Sequence, residues 1–194
     1  MEIARAAAAL FVRHGLRATR AEDIAQVAGI APRTFYRYFA TKEEAVAPLY
    51  AAGAARWTQA VRNAPAHLPL PKALEHAARH TLTPGAGVSA ASWDWVRTLV
   101  RLATSSPALR RVWAEVCHES EQELAQVLAH RGQDNVAVPT LNFAAAVAAA
   151  AVRVAVETWA AGSAPAEGPD GPGALAMHNL DALRNFPWED IAPS

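Results

Sequence analysis

The chain has 194 residues, with 18 basic and 18 acidic side chains and a formal net charge of zero. Overall charge therefore carries no sign of a polyanionic partner. Ala, Leu and Val dominate while strand-length runs of β-branched and aromatic residues are missing, which favours an all-α fold.

The distribution of charge is more informative than its sum. Residues 1–48 carry Arg5, Arg13, Arg17, Arg20, Arg33, Arg37 and Lys42 against Glu2, Glu22, Asp23, Glu43 and Glu44, whereas the segment from 164 onward is acidic apart from Arg184. A basic head suits contact with a polyanion and an acidic tail suits solvent. The single cysteine, Cys117, excludes an intrachain disulfide and fits a reducing, cytoplasmic setting. The first residues are amphipathic with an acid at position 2, unlike a signal peptide. The most apolar run, Phe143 to Val152, is too short to span a bilayer, so no membrane segment is expected.

Glycine and proline clusters divide the chain into about nine predicted helices. The first covers about 2–14, with Ile3, Ala6, Ala7, Leu10 and Phe11 at helical spacing and Gly15 as its stop. The second runs from Thr19 to Ala28, the third from Pro32 to Phe39, and the fourth from Lys42 to about Asn63. Pro48 falls inside the fourth, where it should kink the helix and act as a hinge. Further helices are expected at about 72–83, 89–104, 107–131, 140–161 and 173–184. The seventh aligns Leu109, Val112, Trp113, Val116, Leu124, Val127 and Leu128 on one face.

The segment TRAEDIAQVAGIAPRTFYRYFATKEE, Thr19 to Glu44, is the most specific stretch. Thr19 and Glu22 have the spacing of a capping box, and so do Thr41 and Glu44. Gly29 allows a left-handed turn and Pro32 suits the first turn of the next helix, so two helices joined by a short turn form a helix-turn-helix. Phe35 and Phe39, four apart, face a core with Ile24, Val27 and Leu10. The opposite face presents Arg33, Thr34, Arg37 and, in part, Tyr36 and Tyr38, groups that bind phosphates and base edges. Lys42 and the free amides at the start of the fourth helix offer a phosphate site.

DIAQVAG, TFYRYF and TKEE resemble the signature of the tetracycline-repressor (TetR) family over residues 3–47. The resemblance implies a helix-turn-helix domain at 1–47 and a helical effector-binding and dimerisation domain at 48–194. It implies Thr19, Tyr36, Tyr38 and Lys42 as phosphate contacts and Arg33, Thr34 and Arg37 as base or mixed contacts on double-stranded DNA. Ala31 departs from the family pattern, standing where a hydroxyl residue is common, and no basic arm is expected ahead of Ile3. The later pattern is similar to a subgroup with acyl-CoA-responsive members, which implies a small lipophilic or acyl effector that releases a repressor from a palindromic operator.

For the second domain, Trp57, Trp93, Trp113 and Trp159 are candidates to line an apolar cavity, with Arg97 and Cys117 among its polar groups. Arg101, His118 and Glu121 are further possible anchors. A homodimer is expected through helices 8 and 9, with Ala144, Ala148 and Ala151 as a small-residue ridge; the two recognition helices would then sit one DNA turn apart. No cofactor and no catalytic residue is expected. Two alternatives remain: a DNA-binding regulator with no small-molecule effector, and a metal-dependent enzyme using His76 and His80, which stand i, i+4 but lack the glutamate of HExxH.

Overall fold

The computed structural model describes residues 1–85, 90–132 and 136–186, and the side chains of all of these except 90 and 91. Among the described residues the chain is helical throughout. The elements are α1 (Glu2–His14), α2 (Ala21–Val27), α3 (Pro32–Tyr38), a 3₁₀ turn (Glu44–Val46), α4 (Ala47–Asn63), α5 (Leu70–Leu82), α6 (Ala90–Thr104), α7 (Pro107–Arg131), α8 (Val138–Ala161) and α9 (Pro172–Ala182).

Two apolar clusters organise these helices. The first gathers Phe11 of α1, Ile24 of α2, Phe35 of α3 and Val46 of the 3₁₀ turn, and it is completed by Tyr50, Leu99, Leu109 and Val112 from α4, α6 and α7. The second joins Trp57 and Val61 of α4, Leu74 of α5, Leu124 and Leu128 of α7, Trp159 of α8 and Leu180 of α9. Helices α4, α6 and α7 thus belong to both clusters along their length. The N-terminal helices do not close a core by themselves; they rest on the same three helices that build the larger bundle.

Several expectations change. Pro48 is not in a helix interior: the segment from Lys42 begins as a turn, α4 starts at Ala47, and Pro48 lies in its first turn. There the missing N–H interrupts no hydrogen bond, so the proline sets the start of α4 and makes no kink. Val27 is 62% exposed and plays no part in the core beneath α3. Ala144, Ala148 and Ala151 are buried within the chain, because small side chains let α8 approach its own neighbours. The face of α8 left open carries Phe143 and Val154, 63% and 44% exposed, with the half-buried Val147 and Ala150 between them.

α8 is longer than the apolar run within it. At 24 residues and a mean hydropathy of 1.5 over its most apolar window, it passes as a membrane span by length and composition alone. In this fold it is a core helix against α6, α7 and α9, and it carries the Arg153–Glu157 pair.

Candidate nucleic-acid interface and apolar cavity

The turn between α2 and α3 is built by backbone hydrogen bonds. Ile30 N donates to Ala25 O at 2.9 Å and Gly29 N to Gln26 O at 3.1 Å, a Schellman closure that needs the left-handed φ of 68° at Gly29. Pro32 then opens α3 with Ala31 as an N-cap that supplies no side-chain oxygen. Phe35 is fully buried and its ring lies 5.4 Å from that of the half-buried Phe39, which fixes the rotation of α3.

That rotation leaves Arg33, Tyr36, Arg37 and Tyr38 exposed and Thr34 half-buried. The Arg37 guanidinium sits 5.0 Å from the Tyr38 ring centroid and donates to its hydroxyl at 3.2 Å, so the two side chains form one unit. Arg33 is exposed at the start of α3, where its full reach is open to a groove.

Thr19 and Lys42 lie differently from the expectation. Thr19 is 2% exposed and its hydroxyl donates inward to Gly15 O at 2.9 Å and Leu10 O at 3.3 Å, so it offers no phosphate contact through that hydroxyl. Nor does it cap α2. The cap residue is Arg20, whose backbone N–H donates to Asp23 Oδ2 at 2.8 Å, one position along from the expected pair. Lys42 Nζ donates to Leu16 O at 2.6 Å and Thr19 O at 2.8 Å, clasping the loop between α1 and α2. Two of its three donors are thereby engaged. Thr41 and Glu44 do pair, with Glu44 N donating to Thr41 Oγ1 at 3.3 Å, but the Glu44 carboxylate accepts from Ala40 N at 2.9 Å in place of Thr41 N, so the pair braces the turn ahead of the 3₁₀ segment and caps neither it nor α4.

Between α4, α5, α6, α7 and α8 lies a cavity of about 190 Å³ with largely apolar walls. Trp57, Trp93, Trp113 and Cys117, four of the six expected lining residues, meet there. The indole N–H groups of Trp57 and Trp93 are buried with no hydrogen-bond partner among the described residues. Burial pushes the Cys117 thiol up to about 12; Arg153 pulls it down, while Glu157 and Glu121 add to the rise. The thiol is therefore a neutral wall group at physiological pH.

Arg97 and Trp159 do not line that cavity. Arg97 donates to Gly162 O at 2.6 Å and to Ala164 O, and Arg101 donates to Ala160 O at 2.6 Å and Gly162 O at 2.7 Å. Both arginines satisfy carbonyls at the C-terminal end of α8, where the helix dipole favours a cation. Trp159 lies under Arg97 at 4.2 Å and donates to Ala164 O and Pro165 O, both at 3.1 Å, stapling the loop that follows α8. His118 is exposed on α7, beside Gln122. Leu99, Val100, Val152 and Val156 complete the cavity wall but were not singled out, because an aliphatic residue at helical spacing looks the same whether it faces a cavity or a core.

His76 and His80 are exposed on α5, their rings parallel and 6.4 Å apart. Among the described residues no group of three or more potential ligands surrounds them or gathers elsewhere. The zinc-hydrolase alternative therefore has two ligands where a catalytic zinc takes three.

The profile of bacterial regulatory proteins of the tetR family matches residues 3–47, and that of the MftR C-terminal domain matches residues 68–169, more than half of the chain. The transcriptional repressor KstR2 of Mycobacterium tuberculosis is 51% identical over 45 residues, a match spanning 23% of this chain and only 22% of that protein. Among solved structures, the repressor AlkX of Dietzia sp. superposes with a TM-score of 0.61 at 16% identity, covering 98% of both chains. FadR of Thermus thermophilus, solved in complex with lauroyl-CoA, superposes with a TM-score of 0.55 at 21% identity, over 94% of this chain and 91% of that one. With both profiles falling in order on the two parts of the fold, the chain belongs to the TetR family of bacterial regulatory proteins.

Proposed function

We propose that this chain is a ligand-responsive transcriptional repressor acting in the cytoplasm, where the chromosome is. It binds a palindromic operator as a homodimer and lets go when a small apolar compound fills the cavity. Arg33, Thr34 and the Arg37–Tyr38 unit read or grip the major groove, with Tyr36 and the remaining donor of Lys42 directed to phosphates. The subunits pair through α8 and α9, over the open face of Phe143, Val147, Ala150 and Val154.

One observation carries the coupling between ligand and DNA. Tyr50, Leu99 and Val116 line the cavity and also belong to the cluster that buries Ile24 and Phe35 beneath the DNA-reading helices. A compound that repacks these side chains acts on the support of α3 directly. If it binds better to a state with the two α3 helices off operator spacing, roughly 34–36 Å, it shifts the population away from DNA. The lauroyl-CoA bound to FadR of Thermus thermophilus makes acyl compounds one class to include in a screen.

Operator selection from random DNA, followed by anisotropy titration and a screen for compounds that both raise the melting temperature and release DNA, tests this reading. The expected product is a palindrome with half-sites about one turn apart and at least one releasing compound. Failure to select any sequence removes the repressor function. Tight operator binding that no compound relieves leaves a regulator without a small-molecule effector.

A further inference from the structure

Of the described residues lining the cavity, only Gly53 and Arg56 are exposed, and they lie three apart on the same side of α4. They mark its mouth. Among the other charged groups in the lining, Arg153 Nη1 lies 3.2 Å from Glu157 Oε2, and Glu121 Oε2 lies 3.9 Å from His118 Nδ1, a contact that is an ion pair when that histidine carries a proton. Glu157, just behind, also accepts from Trp113 Nε1 at 2.7 Å. Arg56 makes no hydrogen bond or ion pair with any described residue. A largely apolar cavity thus ends at a guanidinium that has no partner among the described residues.

The interior sets the size of the occupant. Its volume of about 190 Å³ is somewhat larger than the roughly 150 Å³ of an engineered apolar cavity that binds benzene. It holds one aromatic ring with a short tail, or an alkyl chain of similar bulk. Trp57, Trp93 and Trp113 supply broad apolar faces for such a body. At the mouth, a Cβ on Gly53 would meet nothing within 4 Å, so the space in front of the α4 backbone is open there.

The geometry points to an amphipathic anion as the effector: an aryl or short-alkyl body among the three tryptophans and a carboxylate on the Arg56 guanidinium. This rests on the cavity being the effector site and names the chemistry it takes. A guanidinium presents two parallel N–H donors to the two carboxylate oxygens, which an alcohol or amide cannot match. The head group then lands on α4, whose first turn leads into the cluster under α3 through Tyr50. Charge recognition and release of DNA therefore share one helix.

Calorimetric titration of the full-length protein with three compounds of one skeleton, 4-phenylbutyrate, 4-phenylbutan-1-ol and 4-phenylbutylamine, tests the inference. The carboxylate is expected to bind up to about fivefold more tightly than the alcohol, the upper end of the range for a solvent-exposed charge pair, and the amine is expected to bind most weakly. Arg56→Gln should bring the carboxylate down to the alcohol while the alcohol still binds, and Arg56→Lys should keep part of the preference. Equal affinity of acid and alcohol for the wild type, or a preference that survives Arg56→Gln, overturns the inference and leaves the cavity reading standing. So does tightest binding by the amine, which would give the mouth to Glu121. Binding by none of the three removes the inference and the cavity reading together.

Discussion

The Tyr50 hydroxyl donates to the carbonyl oxygen of Leu99 at 3.1 Å, joining α4 to α6 at the boundary between the two apolar clusters. The phenol ring meets Trp113 of α7 edge-on, with centroids 5.1 Å apart, so three helices converge on one side chain. Burial holds the phenol well above its ordinary range, and it remains a donor throughout the pH range of interest.

Tyr50→Phe keeps the ring and deletes the hydroxyl. The lost hydrogen bond should cost about 0.5–1.5 kcal/mol of stability. If this contact transmits the ligand signal, the ratio of operator affinities with and without ligand should shrink while the affinity without ligand barely moves. Thermal melts and anisotropy titrations on the same preparation separate the two effects. An unchanged ratio would place the coupling elsewhere in the shared wall.

Arg33 and Lys42 should behave differently although both are cations near the DNA-reading face. Arg33→Ala should weaken operator binding by about 1–3 kcal/mol and relax the preference at one base position, with little change in melting temperature because the side chain is exposed. Lys42→Met strands the carbonyls of Leu16 and Thr19. It should cost stability of about 1–3 kcal/mol, and operator affinity should fall for every sequence alike. A salt-dependence slope reduced by about one would add a direct phosphate contact to the clasp; a melting temperature equal to wild type would dismiss the clasp.

Much of the fold was legible because its signals are local. Gly29 at a left-handed turn, Pro32 at a helix start and the buried Phe35 each follow from residue chemistry over a few positions. The misplacements arise where tertiary contacts choose between equivalent local options. Thr19–Glu22 and Arg20–Asp23 have the same spacing, and threonine is the better cap by propensity. Burial of the Thr19 hydroxyl against Gly15 O moved the cap by one residue. The alanine ridge of α8 has the right period for either an internal or an external partner, and only packing on α6, α7 and α9 decides that it faces inward. Arg97 and Trp159 were grouped with the cavity by their helices, yet the loop after α8 supplies carbonyls that draw both away. For Pro48 the boundary decides, since a 3₁₀ turn ahead of it converts an interior proline into a first-turn one. Pro48→Ala should accordingly alter operator affinity and induction by no more than a surface substitution does.

The proposed dimer face is the open side of α8, with Phe143, Val147, Ala150 and Val154 in place of the buried Ala144, Ala148 and Ala151. Val154→Asp puts a charge on the open side of α8 without disturbing its buried side, since Val154 is 44% exposed within the chain. Light scattering should show the wild type as a dimer and the variant shifted to monomer, with operator affinity lost because one half-site gives too few contacts. The melting temperature of the variant monomer should become independent of protein concentration. A variant that stays dimeric would exclude this face.

Cys117 supplies a pH signature. Its thiol is raised from 9.0 to about 12 by burial, so in the folded state it stays protonated where an unfolded chain would already have lost the proton. As pH rises past about 9, the unfolded form sheds protons first, and stability falls between about pH 9 and pH 12. Cys117→Ala should make that alkaline decline shallower and start it nearer pH 10, where the buried Tyr50 phenol contributes in the same direction, while leaving the neutral range little changed. In the folded wild type, iodoacetamide should label Cys117 far more slowly at pH 8 than in urea, and the rate should climb with pH. Rapid labelling of the folded protein at pH 8 would show a thiolate that this wall does not favour.

At Gly53 helix stability and cavity space oppose each other. It sits in the middle of α4, where glycine disfavours helix by about 1 kcal/mol relative to alanine, and an added Cβ would touch nothing within 4 Å. Gly53→Ala should therefore raise stability by about 0.5–1 kcal/mol with operator binding intact. Gly53→Leu should retain operator binding too, but its side chain enters the mouth beside Arg56 and should reduce the response to any compound that passes there. Stabilisation together with a lost response would show that this backbone is kept bare for the ligand. Stabilisation with a full response would mean that ligands enter by another route, past the α7 and α8 walls that carry Cys117 and Val156.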